Sequence, residues 1–230
     1  MGITPIHKKN YCAIYSTGGK TSFFGPDLPR ANNVPAQKLS PKDHIDLVDI
    51  CGDSWRNTDY ACCDGTQIAS LKENFNKASP LISSCPECKE NIYQLFCHFS
   101  CSPNQSQFMD VLSTIPAMNG NEVVSELDFY VAPEFASPLY DSCKNIKFSA
   151  TNGYAMDLIG GGAKNYTEFL KFLGDKKPQL GGSPFQINFK LNLDDLDENN
   201  NLTTFQLDTK SCNDSDPNFA CACSDCPQVC

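Results

Sequence analysis

The sequence lacks any long apolar run. No stretch of about 18 apolar residues occurs in its 230 residues, so no segment is long enough to cross a bilayer as a helix. Residues 1–10 also lack the apolar centre that a signal peptide needs. We therefore expect the chain to be a fragment of a longer protein.

Basic residues are few in this chain. It has 18 lysines and arginines against 27 aspartates and glutamates, which gives a formal net charge of −9. Such a surface repels phosphate backbones, so nucleic acid is not an expected partner.

Histidine is scarce too, and its scarcity limits catalysis. The segment Cys97-His98-Phe99 is similar to secreted phospholipases, which pair a CC-x-x-H motif with a calcium loop. Here Thr66 stands where the histidine after Cys62-Cys63 should be. We therefore interpret His98 as a helix surface residue.

Two other sequence patterns do not match the calcium-binding or phosphate-binding motifs that they partly resemble. A calcium loop begun at Asp195 has Asn200 at the glycine position and Gln206 at the bidentate glutamate position. The triple glycine 160–162 lacks the spacing of a phosphate-binding loop and predicts a flexible turn. We expect no enzyme activity, no metal and no cofactor.

Cysteine, by contrast, is abundant. The count of 14 is even, and so many thiols predict a disulfide framework in an oxidising compartment. The adjacent Cys62 and Cys63 cannot easily bond each other, so each needs another partner. The two CxxC segments leave zinc as an alternative, and sequence alone leaves the pairing open. Four N-glycosylation sequons agree with an extracytosolic glycoprotein: Asn104, Asn165, Asn201 and Asn213.

Hydrophobic periodicity predicts an α+β fold in one domain, residues 1–230. Prolines make residues 20–44 loop-like. Asp64 and Gln67 form a capping box for a helix that ends at Pro80, and Pro86 begins the next helix. Helical patterns recur at 134–145 and 164–174. Alternation predicts strands at 185–191 and, more weakly, at 127–132 and 202–207.

Several of these segments together resemble one family. They are Cys62-Cys63-Asp64 with Gln67 and Leu71, Cys85-Pro-x-Cys88, the run from Phe96 to Phe108, and the tail from Cys221 to Cys230. They resemble the N-terminal luminal domain of Niemann–Pick type C1 sterol transporters, from about Cys12 to Cys230. The loops are shorter than in animal members, which favours a fungal member.

The resemblance implies helices packed around a small mixed sheet with a deep apolar pocket for one sterol, ergosterol or cholesterol. The 3β-hydroxyl enters first. The implied partners are a soluble Niemann–Pick type C2-like carrier and the membrane portion of the same multi-pass transporter, in the lumen of the vacuole or lysosome. The implied disulfides are Cys12–Cys62, Cys51–Cys97, Cys63–Cys101, Cys85–Cys221, Cys88–Cys143, Cys212–Cys226 and Cys223–Cys230.

The resemblance also assigns site residues. Gln67 is placed near the hydroxyl, although the capping box is its alternative role. In animal members an asparagine lies near the hydroxyl, and Ser22 is its expected counterpart here. Thr17 stands in the place of an acidic pocket residue of those members, and Ile14 in the place of a tryptophan. The implied lining, for which an ordinary core is the alternative, comprises Ile14, Leu71, Phe96, Leu158, Ile159, Phe172, Leu173, Pro184, Phe185 and Ile187.

Two other functions compete with sterol binding. A cysteine-rich receptor ectodomain for another small ligand should line its pocket with aromatic and charged residues. A secreted lipid hydrolase requires a site centred on histidine.

Overall fold

The computed structural model describes residues 6–148, 153–178, 182–192, 201–212, 214 and 216–226. Both helices and strands occur among these residues, and the α+β prediction is confirmed. Short 3-10 turns lie at Asp53–Trp55 and Gln105–Gln107. The elements in chain order are β1 Tyr11–Lys20, β2 Asp27–Pro35, β3 Gln37–Lys38, α1 Pro41–Cys51, β4 Tyr60–Ala61, α2 Gly65–Ile82, α3 Pro86–Cys101, β5 Met109–Pro116, β6 Glu122–Tyr130, α4 Pro133–Cys143, β7 Lys147–Phe148, β8 Gly153–Tyr154, α5 Ala155–Ile159, α6 Tyr166–Gly174 and β9 Gln186–Lys190.

The main sheet is small and mixed, as expected. Its order is β1-β2-β6-β5 with antiparallel neighbours, and β9 pairs in parallel with β6. The prediction at 185–191 is confirmed by β9, whereas 127–132 is only the end of β6. The prediction of a strand at 202–207 is wrong. Phe205 makes one bridge to Val131 and is held by its side chain, which packs on Phe129 and Phe135.

The prediction of a loop at residues 20–44 is also wrong, because this segment contains β2, β3 and the start of α1. Strand β2 tolerates its prolines because it pairs with β6 through one residue pair, Arg30 with Val123, so few ladder donors are needed on that edge. Helix α1 begins with a readable signal: the Ser40 side chain accepts from the Asp43 N–H, and Pro41 is at the first helical position.

Helices α2 and α3 pack against each other in the middle of the fold. The capping box of Asp64 and Gln67 is present, and α3 begins at Pro86 as predicted. The predicted end of α2 at Pro80 is wrong, since the helix continues to Ile82. A proline in the last turn removes only one hydrogen bond, and the fully buried Ile82 keeps that turn packed.

The apolar core has two main clusters. The larger surrounds the sheet and includes parts of α3, α4 and α6, and the smaller lies among α1, α2 and α3. Tyr93 and Phe96, both on α3 and both partly buried, pack against both clusters. The boundary between the clusters therefore lies along one face of α3.

Disulfides tie this framework together. The structure contains six of the pairs that the resemblance implies, and the seventh involves Cys230, which lies outside the described residues. Cys62 and Cys63 diverge to β1 and to the end of α3, so this dipeptide crosslinks three parts of the chain. The six pairs are Cys12–Cys62, Cys51–Cys97, Cys63–Cys101, Cys85–Cys221, Cys88–Cys143 and Cys212–Cys226.

Candidate ligand-binding site

Gln67 lies where the start of α2 meets β1. Its side-chain Oε1 accepts the Asp64 N–H at 3.1 Å, and its own N–H donates to the Asp64 carboxylate at 3.0 Å. The same Oε1 also accepts the Ser16 N–H at 2.8 Å. Gln67 is therefore both a helix cap and a link from α2 to β1, and the capping role expected as its alternative is present.

These hydrogen bonds determine which side-chain atom of Gln67 can bind a ligand. An amide oxygen has two lone pairs, and two main-chain N–H groups occupy both of them. The side-chain Nε2, with its two N–H donors, is the polar group that remains for another molecule. The residue is half-buried, so part of its surface remains uncovered.

The predicted lining residues come from six parts of the chain, which meet in two groups. Helix α2 contacts β1, α3 and α5, while α6 contacts β9. These contacts assemble most of the lining around α2 and the β9 end of the sheet. Ile14 and Thr17 lie on β1, Leu71 on α2, Phe96 on α3, Leu158 and Ile159 on α5, Phe172 and Leu173 on α6, Ile187 on β9, and Pro184 and Phe185 just before β9.

Burial separates the lining into two kinds of residue. Ile14, Leu71, Phe185 and Ile187 are buried in one or other core cluster. A second set is apolar yet only partly buried: Phe96, Ile159, Phe172 and Leu173. Apolar side chains packed at the edge of a core with part of their surface uncovered are the residues expected around an apolar cavity.

Two assigned residues lie at the surface. Ser22 is exposed in the turn after β1, where its carbonyl accepts the Gly25 N–H, and it packs on neither core cluster. Leu158 on α5 is 52% exposed. Thr17 is half-buried on β1 opposite Pro29, closer along the strand to Ser16 and its Gln67 contact. Among these residues, Thr17 is the better candidate neighbour for a bound polar group.

The triple glycine is a shaped turn between α5 and α6. Gly161 and Gly162 have φ angles of 61° and 75°, which glycine adopts without strain. A Cβ on Gly161 would overlap the Phe172 ring, whereas a Cβ on Gly162 would meet only Asp157 at 3.8 Å. The Gly161 backbone therefore approaches closely a ring that the resemblance assigns to the lining.

Each of the three histidines contacts other residues of the fold. His98 lies between the rings of Trp55 and Phe205, with centroids at 4.8 and 5.2 Å, and burial lowers its pKa to about 4. The interpretation of His98 as a surface residue is therefore wrong, because α3 turns it into an aromatic contact. His7 Nδ1 bonds the Ser106 carbonyl at 2.7 Å, and His44 Nε2 lies 3.3 Å from the Trp55 carbonyl.

The zinc alternative is wrong for the first CxxC pair. Cys85 and Cys88 are bonded to Cys221 and Cys143, so neither offers a thiolate. Glu87 lies within 4.8 Å of the sulfurs of Cys85 and Cys221, but disulfide sulfurs are poor ligands for a metal ion.

In the part of the chain that the structure describes, no helix is long and apolar enough to cross a membrane.

The chain matches a known family along nearly its whole length. The model described as Niemann-Pick C1 N terminus matches residues 9–230. The chain belongs to the Niemann-Pick C1 N-terminal family. The resemblance read from the cysteine and Phe96–Phe108 motifs is thereby confirmed.

Relatives of this Niemann-Pick C1 N-terminal chain include much longer proteins. NPC intracellular cholesterol transporter 1 of Sus scrofa is 32% identical over 207 residues, covering 84% of this chain and 16% of that protein. NPC1-like intracellular cholesterol transporter 1 of Homo sapiens is 31% identical over 242 residues, covering 99% and 18%. NPC intracellular cholesterol transporter 1 homolog 1b of Drosophila melanogaster is 31% identical over 184 residues, covering 78% and 14%. The chain spans less than a fifth of each of these relatives.

One partner in the candidate site was not predicted from the sequence of this Niemann-Pick C1 N-terminal chain. Ser16, which donates its N–H to Gln67, has a φ angle of 64° in a strand that shifts register three times. The paired glycines at 18 and 19 were the one local sign that β1 is irregular. Only the tertiary contact with α2 reveals what the irregularity positions.

Proposed function

We propose that residues 1–230 form one luminal sterol-binding domain of a longer multi-pass membrane transporter. The observation that carries this proposal is the Gln67 amide, whose oxygen is occupied and whose Nε2 donors remain at the joint of α2 and β1. Partly buried apolar residues lie on the neighbouring elements. A rigid apolar slab with one hydroxyl matches this combination, and the relatives are named as cholesterol transporters.

The sterol enters with its 3β-hydroxyl first. Nε2 of Gln67 donates to the hydroxyl oxygen, directly or through water, and the rings lie against Ile14, Leu71 and Phe96. The alkyl tail stays near the opening, beside the triple-glycine turn. About 28 heavy atoms at roughly 0.3 kcal/mol each give about 8 kcal/mol, an affinity near micromolar that still permits release.

The domain works between two partners in this proposal. A soluble Niemann–Pick type C2-like carrier delivers ergosterol or cholesterol, and the membrane portion of the same transporter accepts it. The compartment is the lumen of a vacuole or lysosome, which suits the dense disulfide framework. The protein is a glycoprotein without enzymatic function, and it needs no cofactor.

Saturable binding of labelled cholesterol and ergosterol to the purified chain tests this function. We expect micromolar or tighter binding by the intact protein and about a tenfold loss in Gln67→Ala, because the donor to the sterol hydroxyl is removed. The variant also loses the bonds to Asp64 and Ser16, so its thermal unfolding is measured beside its binding. Gln37→Ala, which alters an exposed glutamine on β3, should bind as the intact chain does. Absence of saturable sterol binding by the folded, fully oxidised protein would falsify the proposal.

A further inference from the structure

Two turns lie side by side at one end of the sheet and expose apolar side chains. The turn after β1 carries Phe23 and Phe24, which are 77% and 95% exposed, with their rings edge to face at 5.2 Å. The turn between β5 and β6 carries Met118, which is 64% exposed. The Met118 N–H donates to the Lys20 carbonyl at 2.8 Å, which joins the two turns. We call residues 21–26 and 116–121 the double-turn tip.

The double-turn tip carries no charge. Neither of its two segments contains an acidic or basic residue, although the chain as a whole has a net charge of −9. The nearest charges along the chain are Lys20, Asp27 and Glu122, just outside the segments. Most of the acidic surface is repelled by anionic headgroups, whereas this end of the molecule is not.

Part of the backbone of the tip is bonded internally. Gly25 donates to Ser22 O, Gly120 donates to Ala117 O, and Ala117 donates to Asn121 O, at 2.8 to 3.1 Å. The Nδ2 groups of Asn119 and Asn121 both donate to the Gly18 carbonyl. Polar backbone groups that already have partners lower the cost of moving the turns out of water.

We propose that the double-turn tip is a membrane-contact site that inserts Phe23, Phe24 and Met118 into the interface of a lipid bilayer. Side chains this fully exposed protrude on nearly all sides, a shape that suits immersion in a fluid phase. Protein interfaces instead bury flatter patches with a polar rim. The proposal does not depend on sterol binding: Ser22 is the one tip residue that the resemblance assigns to the sterol site, and it is not among the three side chains that insert.

Flotation with phosphatidylcholine vesicles, with and without cholesterol, measures this contact. We expect the intact chain to float with the vesicles and Phe23→Ser/Phe24→Ser to lose about tenfold or more of its partition coefficient. Binding should change little with added salt, because apolar burial and not ion pairing supplies it. Ile45→Ser removes another exposed apolar side chain, on α1, and should float as the intact chain does.

A fluorescence variant locates the contact on the molecule. The single native tryptophan, Trp55, is 3% exposed, so its emission should not respond to lipid. In Phe24→Trp we expect a blue shift on adding vesicles and quenching by brominated lipid. Equal flotation of the double serine variant, no emission change in Phe24→Trp, or lipid-free self-association that the serine variant abolishes would each overturn the proposal. Sterol binding in detergent-free buffer should be unchanged in all these variants, which separates this test from that of the sterol site.

Discussion

Gln67 and Ser16 join helix α2 to strand β1 through one hydrogen bond, in which the side-chain Oε1 accepts the Ser16 N–H at 2.8 Å. The bond holds Ser16 in a left-handed conformation, with a φ angle of 64°. Because the same oxygen also accepts the Asp64 N–H, the shape of β1 and the start of α2 depend on a single side chain. The remaining Nε2 donors are thus held in place from both sides.

Replacing Gln67 by Glu tests whether the donor faces the sterol. Glutamate keeps an oxygen for the Asp64 and Ser16 N–H groups, so we expect the capping box and the stability to change by less than about 1 kcal/mol. A carboxylate can accept from a sterol hydroxyl but cannot donate to a 3-keto group. The variant should therefore keep cholesterol and lose about tenfold or more of its affinity for a 3-ketosterol.

Competition of each sterol against labelled cholesterol measures this exchange of specificity. The intact chain should bind both sterols, because Nε2 donates to a hydroxyl or a ketone oxygen equally well. If the ketosterol binds both proteins with the same affinity, Gln67 is not at the polar end of the pocket.

Gly161→Ala tests the role of the triple-glycine turn. The new Cβ overlaps the Phe172 ring at a positive φ, so we expect about 2–3 kcal/mol of destabilisation and altered sterol exchange. Gly162→Ala is the matched control, since it has the same backbone strain but only Asp157 nearby, at 3.8 Å. It should cost about 1 kcal/mol and leave exchange unchanged. Stopped-flow sterol exchange and thermal unfolding distinguish the two, and identical exchange rates would remove the turn from the uptake path.

Phe96→Ala separates a cavity wall from an ordinary core. Phe96 is half-buried and packs on both core clusters, so we expect about 2 kcal/mol of destabilisation and about a tenfold loss of sterol affinity. Phe135→Ala removes a fully buried ring and should cost about 3–5 kcal/mol, with little effect on affinity in the folded fraction. Equal affinity losses in the two variants would mean that Phe96 acts only through stability.

The sequence predicts the parts of the fold that local signals govern. The Asp64 capping box, Pro86 at a helix start and the alternation of β9 each arise from near neighbours in the chain. Strands β1 and β2 could not be read in this way, because bulges interrupt one and prolines the other. Their pairing joins two separate segments of the chain, and β1 is further tied to Cys62 by a disulfide and to α2 by the Gln67 contact. Ser40 and Pro41 form a local helix-start signal for α1, but the prediction of a loop at residues 20–44 did not include this helix.

The same division holds for the candidate site. The resemblance carries residue identities, but only the fold shows that the Gln67 oxygen is occupied and that Ser22 lies in an exposed turn. Burial also depends on the neighbours of α3, which turn His98 toward Trp55 instead of solvent. Orientation of this kind is set by packing between distant segments, so no local pattern encodes it.

Glu87 makes stability depend on pH. Its side chain is fully buried at the start of α3, and neither carboxylate oxygen has a hydrogen-bond partner among the described residues. Burial, assisted by Asp214, raises its pKa to about 7. Because this folded-state pKa lies above the ordinary value, the stabilising contribution is complete below about pH 4.5 and is lost as the pH rises through about 7. The shift corresponds to roughly 3 kcal/mol, and the helix N-terminus, which favours the ionised form, reduces the expected effect to about 2 kcal/mol.

Denaturant unfolding of the intact chain and Glu87→Gln between pH 5 and pH 8 measures this contribution. The amide does not titrate, so we expect the stability of the intact chain to fall relative to the variant by about 2 kcal/mol across this range. Glu134→Gln is the matched control, because Glu134 also follows a proline at the start of a helix, α4, but is exposed. It controls for the loss of one acidic side chain at this helix position. Parallel pH profiles for Glu87→Gln and the intact chain would show that Glu87 is ionised in the folded protein throughout this range.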